Sequence, residues 1–548
     1  MSIGAARQIG VPVKQTNYAV RVPAPVRGVD TRVSVISEDP GYCIYTYNLV
    51  PYDYGMRVRN GYREWAIGTE DTSSLGIRTI IPFINHTTAA KLLFAVTNEG
   101  IWDVTTTDVP PVLKLAFTDT SANAGWGTYA HYTDNSGDDA LYYADSINGL
   151  FAYDAVGGTW AQAAGILGPV TANVNFVVLH KQRMWLVEEN SSKAWYLPVG
   201  SASGQAEEFF FAPKFKHGGN LVGLYNWSVD GGDGADDILV AVSRAGDVLP
   251  YKGADPSSAD TWALIGTYFI GEVPRGPSIA TQQGGELFIL SIFGVTSMND
   301  MLKGVNTQDR VDTPGSSSIA RRIAERVRQR MLLSIDEYGW DIQLIPCQGG
   351  AVIKTPDVNN WEHLQYSYNI TSAGWGFWRD VPMNCLESFD GKLVFGTADN
   401  RVCLLDVFTD NVKLTPPETG PNGVPIKFSI LTTYQGLNEP ALVKRAALVR
   451  PDFVAASEPA YTVSARYDYD LNEAFLKAIS PDTTQATWDV ALWDNAIWAT
   501  GSLVGYSDTK GTWGAGRYVA VAMVGESRDD TRFVGWDLNF TGGGFMQL

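Results

Sequence analysis

An apolar, hairpin-like pattern recurs seven times along the chain, at intervals of roughly 50 residues. Each copy has a β-rich run, a few polar or glycine residues and a second β-rich run, which is the pattern of a β-hairpin. One such unit cannot bury both of its faces, so the units must stack on one another. The copies span residues 92–104, 140–154, 183–197, 237–251, 286–300, 340–354 and 392–406.

Units of this length that stack radially form a β-propeller. The sequence therefore predicts an all-β protein with a degenerate propeller of about six or seven blades. The residues typical of WD or kelch repeats do not recur at fixed positions. A stacked sandwich of hairpins would show a similar rhythm and stays open as an alternative.

Changes in pattern along the chain predict three parts. Residues 1–75 are extended and rich in proline, and we expect them to join a platform or the first blade. Residues 76–425 hold the repeats and end at a joint dense in proline and glycine, 414–425. Residues 426–548 carry longer strands in which apolar and polar residues alternate, which predicts a β-sandwich-like domain.

One segment breaks the β pattern and predicts an inserted helix near residues 316–333. Ile319, Ile323, Val327 and Met331 are spaced by four and form one apolar stripe. Arginines occupy the other faces, and in a chain of net charge −18 they need anionic neighbours. We therefore predict that the helix contacts a partner or DNA; a solvated helix packed by its stripe is the alternative. The arginines are Arg321, Arg322, Arg326, Arg328 and Arg330.

Composition narrows the class of protein. The chain has 548 residues, of which only 18% are charged and 12% aromatic, with 55 glycines, as in turn-rich β proteins. The net charge of −18 argues against tight, sequence-independent binding of nucleic acid. The chain has no apolar run long enough for a membrane span, and its first residues lack the apolar core of a signal peptide. We expect its four cysteines to be buried free thiols, as in a protein made in a reducing compartment.

The N-terminal part resembles a known family in several phrases. These are APVRGVDTR from Ala24, NLVP from Asn48, YGMRVRNGYREWA from Tyr54, NEGIWDV from Asn98 and ALYYADSINGLFAYD from Ala140. They are similar to the opening of tail tubular, or nozzle, proteins of short-tailed bacteriophages, over about the first 160 residues.

The resemblance implies a structural protein of the virion tail, made in the host cytoplasm, with a propeller and a sandwich-like platform. It implies a hexameric ring of subunits below the head-to-tail adaptor, with tail fibres or spikes as further partners. The ring would enclose the channel through which genomic DNA leaves. The resemblance brings no catalytic or cofactor residues with it.

A channel through which DNA passes must not bind the DNA tightly, and each Lys or Arg contact to phosphate adds binding affinity. We therefore predict acidic loops that face the channel. Two Asp-rich turns are the candidates, and the second, rich in glycine, is also a possible Ca²⁺ loop, although it lacks the EF-hand order. A solvated hairpin tip is the simpler interpretation of each. The residues are Asp134, Asp138 and Asp139, and Asp230, Asp233, Asp236 and Asp237.

An alternative function is a propeller-type carbohydrate-binding or glycan-cleaving tail protein. Sialidase-type propellers carry repeated Asp-boxes, which this sequence lacks, and the five histidines are scattered. We therefore predict no catalytic residue, no bound cofactor and no metal site, hence no enzyme. Five tryptophans could stack on sugars, although core or interface positions are the favoured interpretation: Trp375, Trp378, Trp488, Trp493 and Trp498.

Overall fold

The computed structural model describes residues 16–545 except 32–33, 38, 67–74, 87, 108, 134–136, 138, 231–234, 284, 303–321, 346–348, 359–362, 418–420 and 474–502. The described residues are mostly β-strand, as predicted. The described residues of the N-terminal segment form five strands, which join three different sheets. They are β1 (Thr16–Pro23), β2 (Cys43–Tyr47), β3 (Leu49–Tyr52), β4 (Gly55–Val58) and β5 (Gly61–Ala66).

Five separate antiparallel sheets follow along the chain, and each is one propeller blade. Blade 1 comprises β6 (Thr79–Ile84), β7 (Lys91–Val96), β8 (Gly100–Asp103) and β9 (Val112–Ala116). Blade 2 comprises β10 (Gly127–Thr133), β11 (Asp139–Asp145), β12 (Gly149–Asp154) and β13 (Thr159–Gln162). Blade 3 comprises β15 (Val174–His180), β16 (Arg183–Glu188), β17 (Lys193–Tyr196) and β19 (Glu207–Phe210). A short parallel pair flanks it, formed by β14 (Ile166–Leu167) and β18 (Gly204–Gln205).

Among the described residues, blade 4 has five strands and blade 5 has three. Blade 4 comprises β20 (Leu221–Asp230), β21 (Ala235–Ser243), β22 (Asp247–Gly253), β23 (Trp262–Leu264) and β24 (Tyr268–Phe269). Blade 5 comprises β25 (Ala280–Gln283), β26 (Glu286–Ser291) and β27 (Gly294–Ser297). Helices α1 (Met298–Leu302) and α2 (Ala324–Ser334) come next and pack against β27, where other blades have a fourth strand.

The remaining strands of the ring come after the helices. They are β28 (Asp341–Ile345), β29 (Gly350–Lys354), β30 (Gln365–Asn369), β31 (Gly374–Trp378), β32 (Met383–Phe389), β33 (Lys392–Thr397) and β34 (Val402–Val407). Strands β32 to β34 form blade 6, and β5 from the N-terminal segment is its fourth strand.

The inner strands form a closed ring of contacts in the order β6, β10, β15, β20, β25, β28 and β32, and β32 contacts β6. Six positions in the ring are separate blades, and β28–β31, part of a larger sheet, fill the seventh. The predicted propeller is confirmed. Each of the seven sequence repeats coincides with a hairpin, formed by the second and third strands of a blade, or by β28 and β29 in the sixth repeat.

The strands after blade 6 join β1–β4 and β28–β31 in two larger sheets, which we call the platform. These later strands are β35 (Thr409–Asp410), β36 (Val424–Thr432), β37 (Leu442–Ala455), β38 (Ala460–Tyr467), β39 (Val504–Ser507), β40 (Lys510–Gly511), β41 (Val519–Ser527) and β42 (Thr531–Phe545). One sheet runs β28-β29-β30-β31-β2-β36-β41-β38, with β35 at its side. The other runs β3-β4-β42-β37-β39, with β1 on β42 and β40 on β37.

The two platform sheets pack face to face, as in a sandwich. Phe453 of one sheet contacts Tyr461 and Phe428 of the other, with ring centroids 5.0 and 6.4 Å apart. One core cluster continues from this interface through Val327 of α2 to Ile289 of blade 5. Strands from residues before 75 and after 425 therefore share both platform sheets with each other, and they share one of these sheets and one core with the propeller.

Candidate functional site: the axial cavity of the propeller

A buried polar cluster lies where the inner strands converge on the propeller axis. Tyr129 comes from β10, Asp341 and Gln343 from β28, and Glu387 from β32. All four line a cavity of about 150 Å³. Gln343 Nε2 donates to Glu387 Oε2 at 2.9 Å. Lys354 of β29 is the register partner of Asp341, and only 2% of its surface is exposed.

The cavity disfavours charge on this cluster. Burial raises the pKa of Asp341, and the nearby Glu387 carboxylate adds to the rise. Burial lowers the pKa of Lys354, against the attraction of Asp341. Enclosure in the ring also raises the pKa of Glu387, although that side chain lines the cavity and keeps part of its surface exposed. Ionising a buried Lys–Asp pair costs free energy, and removing one partner of the ionised pair costs free energy as well.

A stack of aromatic and cationic groups stands above this cluster, at the mouth of the cavity. The rings of Trp126 and Tyr338 lie nearly parallel, with centroids 6.0 Å apart. The Arg275 guanidinium carbon lies 4.5 Å from the Tyr338 centroid, and Arg78 and Lys354 approach Trp126 at 5.7 and 5.4 Å. These contacts are cation–π interactions, and they occupy the faces of both rings.

The mouth widens into a second cavity of about 390 Å³. Its walls come from the beginnings of inner strands β10, β15, β20 and β25 and from turns beside them. The cavity therefore opens on the propeller face where these strands begin. The hairpins that carry the predicted acidic loops are at the other ends of β10 and β20, hence on the opposite face.

Among the predicted acidic residues, the structure describes the side chains of Asp139 and Asp237. Asp139 is 9% exposed and accepts hydrogen bonds from the Thr133 hydroxyl at 2.8 Å and the His86 backbone at 2.6 Å. Asp237 accepts a hydrogen bond from Ser228 Oγ at 2.6 Å. Both therefore stabilise their own hairpins, and a channel-facing role stays a prediction. The side chains of Asp134, Asp138, Asp230, Asp233 and Asp236 lie outside the described part.

The predicted helix is observed as α2, over Ala324–Ser334, and its earlier part, with Ile319 and Arg321, lies outside the described residues. The apolar stripe is confirmed for Ile323, Val327 and Met331, which are buried.

The described arginines in and just before α2 divide into two groups. Arg322 Nη1 donates to the Ala373 carbonyl at 2.7 Å, Arg326 lies 5.3 Å from the Phe377 ring, and burial lowers the pKa of Arg330. Arg322 and Arg326 thus pack beside β31 of the platform, and Arg322 Nε also lies 3.7 Å from the Asp30 carboxylate. All three side chains are only partly exposed. Arg328 is exposed and pairs with Glu325 at 3.3 Å. Contact of this helix with a partner or DNA stays a prediction, and Arg328 is the exposed member among the described arginines.

The tryptophans and cysteines occupy the core where they are described. Trp375 and Trp378 are 2% and 3% exposed, which confirms the core interpretation and leaves neither ring open to a sugar. Trp488, Trp493 and Trp498 lie outside the described residues. Cys43, Cys385 and Cys403 are buried free thiols, as predicted. Within the described part of the chain, no group of three or more His, Cys, Asp and Glu side chains is placed to hold a metal ion, and no helix is long and apolar enough to cross a membrane.

The sequence matches no known family model and no curated protein. Among solved structures it is similar to the extracellular domain of a hybrid two-component system from B. thetaiotaomicron, at 10% identity over 74% of this chain and 51% of that chain, with a TM-score of 0.39. It is also similar to the WD40 β-propeller domain of Doa1, at 12% identity over 63% of this chain and 97% of that chain, with a TM-score of 0.39. The chain thus spans about half the length of the first of these. These likenesses carry no argument about function, and the propeller assignment rests on the closed ring of sheets.

Proposed function

We propose that the protein is a structural virion protein, the nozzle subunit of a short-tailed bacteriophage. Subunits would assemble as a ring, hexameric by the family resemblance, below the head-to-tail adaptor and around the DNA exit channel. The observation that carries the proposal is the location of the phrases that resemble nozzle proteins. The first three contribute to the joint between propeller and platform, which are the two parts that the resemblance implies, and the other two lie in blades 1 and 2.

Arg59, within the third of these phrases, is the centre of that joint. Its guanidinium forms a bidentate ion pair with Asp410 at 2.7 and 2.6 Å, and its Nε donates to Asn48 Oδ1 at 2.8 Å. Asn48 Nδ2 in turn donates to the Lys427 carbonyl of the platform at 2.8 Å. Two residues beyond Arg59, strand β5 begins as the outer strand of blade 6. The same short segment thus contacts the platform and provides the fourth strand of blade 6.

A second point of support is that the propeller's own axis cannot pass DNA. Side chains such as Trp126 and Tyr338 fill it, leaving cavities of only about 390 and 150 Å³. A duplex is wider than its major groove, which alone measures about 12 Å. A channel for DNA must therefore be enclosed by several copies of the chain, as in a ring.

The charge of the chain suits this role. With 59 acidic and 41 basic residues, a ring of subunits repels phosphate overall. The repulsion decays within about 10 Å at roughly 0.1 M salt, so it acts on a duplex only near the wall. We expect the free protein to bind duplex DNA weakly or not at all at physiological salt.

Trp513 of the platform is a candidate for contact between subunits or with the adaptor. It lies between β40 and β41, and 86% of its surface is exposed. Tryptophan dominates the binding energy of many interfaces because it buries a large area, so an exposed copy favours an interface position.

The assembly state of the full-length protein tests the proposal. Light scattering after size exclusion, with and without the adaptor, should give a mass near six times 59.7 kDa, and electron microscopy should show closed rings. A protein that stays monomeric under both conditions and binds or cleaves glycans would overturn the proposal in favour of the carbohydrate-directed alternative. Nanomolar binding of duplex DNA by the free subunit would also overturn it.

The role of Trp513 is tested separately with a matched pair of variants. Trp513→Ser should lower the fraction of rings, whereas Val156→Ser, which removes an 88% exposed apolar side chain from blade 2, should not. If both variants assemble like the wild type, Trp513 is not an assembly contact, while the measured mass still decides the ring.

A further inference from the structure

We propose that subunits join through the edges of one platform sheet, with β1 of one copy pairing with β39 of the next. Strand β42 pairs with β37 along one side and with β1 along the other, and β39 pairs with the far side of β37. Strands β1 and β39 are therefore opposite edges of the same sheet. Among the described residues, no strand pairs with the outer side of either. The inference rests on the proposed ring and names the surface that closes it.

Neither edge carries the features that keep sheet edges apart. Exposed edges pair with other chains unless charges, prolines or bulges prevent it. Strand β1 pairs with β42 without a bulge, its one charged residue is Arg21, and its one proline, Pro23, is its last residue. Strand β39 is short and has no charge, no proline and no bulge. Tyr18 of β1 and Val504 of β39 are 38% and 46% exposed, so both edges also present apolar surface.

The strand directions suit head-to-tail pairing. Strands β1, β42, β37 and β39 alternate in direction, since each pairs with the next in antiparallel fashion. A second copy that continues the sheet therefore places its β39 antiparallel to β1 of the first. Because the two edges differ, each copy takes one neighbour on either side, and a contact of this kind closes into a ring when the rotation fits. Pairing of β1 with another β1 would stop at a dimer.

The backbone groups on the two edges are in phase. Ala24 N donates to the Val534 carbonyl, so alternate residues of β1, Ala19 among them, direct their N–H and C=O away from β42. The same alternation, counted from the bond that Thr512 N donates to β37, directs those of Gly505 away from β37. With Ala19 opposite Gly505, the two residues exchange both backbone hydrogen bonds.

This register also places similar side chains next to each other. Tyr18 stacks on the core residue Phe540 with ring centroids 5.2 Å apart, so it lies on the core-facing side of the sheet. Tyr506 packs against the same core. Aromatic and β-branched pairs on one face stabilise neighbouring antiparallel strands. The pairs formed between the two copies are Tyr18 with Tyr506 and Val20 with Val504.

Charge favours a second copy of this chain as the partner. The first 29 residues contain four basic and no acidic residues, whereas the whole chain has a net charge of −18. At the other edge, Asp508 directly follows β39 and pairs with Lys510, and Glu458 is exposed. Burial raises the pKa of Tyr461, and the carboxylates of Asp508 and Glu458 add to the rise, which places both near that edge. The segment that contains β1 is therefore attracted to the acidic remainder of another copy.

Disulfide cross-linking of assembled rings tests the pairing. Ala19→Cys/Gly505→Cys puts two thiols opposite each other at a Cα separation of about 5.5 Å, which a disulfide spans. Both residues are exposed, and a Cβ at Gly505 would meet open space. All variants carry Cys347→Ser, since the other three cysteines are buried. We expect a ladder of covalent multimers up to the closed ring on a non-reducing gel, and monomers from each single variant. A dimer from Ala19→Cys alone would show β1–β1 pairing and overturn the proposal.

A proline variant tests the same contact without thiols. Ala19→Pro removes an outward N–H but no hydrogen bond to β42, so the protein should fold while association weakens about tenfold. Gln162→Pro is the matched control on the outer strand of blade 2. Gln162 is exposed, and its N–H also points outward, because Ala163 N bonds to Leu150. Thermal unfolding checks that both variants are folded, and the cross-linking decides alone if Ala19→Pro is not.

The outcomes separate this inference from the proposed function. Rings that form without the covalent ladder, or that form from Ala19→Pro as readily as from the wild type, would overturn the edge pairing and leave the nozzle proposal standing. Equal weakening by Ala19→Pro and Gln162→Pro would also count against the pairing. A wild-type protein that forms no ring would overturn both proposals.

Discussion

Replacing Arg59 by methionine should destabilise the joint between propeller and platform severely. The guanidinium uses all five of its N–H donors: one to Asn48, one each to the carbonyls of Asn60 and Arg379, and two to Asp410. The Arg59 side chain is fully buried, and that of Asp410 is 11% exposed. Arg59→Met therefore leaves a buried carboxylate and several buried acceptors without their donor.

The expected loss follows from that geometry. Removing one partner of a buried ion pair costs about 3–5 kcal/mol, mostly because the remaining charge has no compensation. Arg63→Met is the matched control, since Arg63 forms a comparable bidentate pair with Asp406 at 2.8 and 2.9 Å one strand further on. The Arg63 side chain is 33% exposed, so its loss should cost only about 0–1 kcal/mol.

Urea unfolding followed by tryptophan fluorescence measures both variants against the wild type. A chain of this size can unfold in several steps, so the comparison uses the transition in which blade 6 opens, identified by hydrogen exchange of β5. Arg59→Met/Asp410→Leu should recover most of the stability, because no buried charge remains. Equal losses for Arg59→Met and Arg63→Met, or no recovery in the double variant, would refute the reasoning.

Three further predictions concern other contacts. Gly28→Ala should lower the unfolding temperature far more than Gly137→Ala. Both residues have positive φ, but a Cβ at Gly28 would lie 2.0 Å from a backbone oxygen, whereas a Cβ at Gly137 would lie in open space. Burial tends to raise the pKa of Glu64, but hydrogen bonds and cations outweigh it and lower that pKa. Glu64→Gln should therefore reduce stability at neutral pH, and the difference should shrink progressively as pH falls below about 4.3, the ordinary pKa of glutamate, in unfolding titrations. Asp341→Leu and Lys354→Met should each destabilise the protein more than the double variant does. A double-mutant cycle measured by calorimetry tests this, and additive losses of stability would show that the two side chains are not coupled.

The repeats were predictable from the sequence because a β-hairpin is a local structure. In the copy at 140–154, alternating apolar residues and the turn before Gly149 fix both β11 and β12 within fifteen residues. The same holds for the apolar stripe of α2, since helical neighbours are three or four positions apart. The roles of Arg322 and Arg326 were not predictable, because Ala373 and Phe377, which receive them, come some fifty residues later.

Contacts between residues far apart in the sequence were not predictable for the same reason. Nothing within β5 indicates that its partner is β34, and the axial cluster joins Tyr129 to residues more than 200 positions away. A usable signal does exist for the cluster. Glu387 is a charged residue inside a largely apolar strand, where a charge needs a buried partner, and Asp341 and Lys354 are charged residues at the ends of two such strands. That signal indicates that a polar interior exists but not which strands share it.

The completion of blade 6 by β5 also sets the order in which the protein can fold during its synthesis. Strand β5 leaves the ribosome early, but β34 follows about 340 residues later, which at about 5–20 residues per second is a delay of tens of seconds. During that interval the early blades expose unpaired strand edges, and the ring has no means of closing. Strand β5 can therefore pair only after β34, the last propeller strand, has been synthesised. Until then the nascent chain stays soluble only if aggregation is slow or if chaperones protect it.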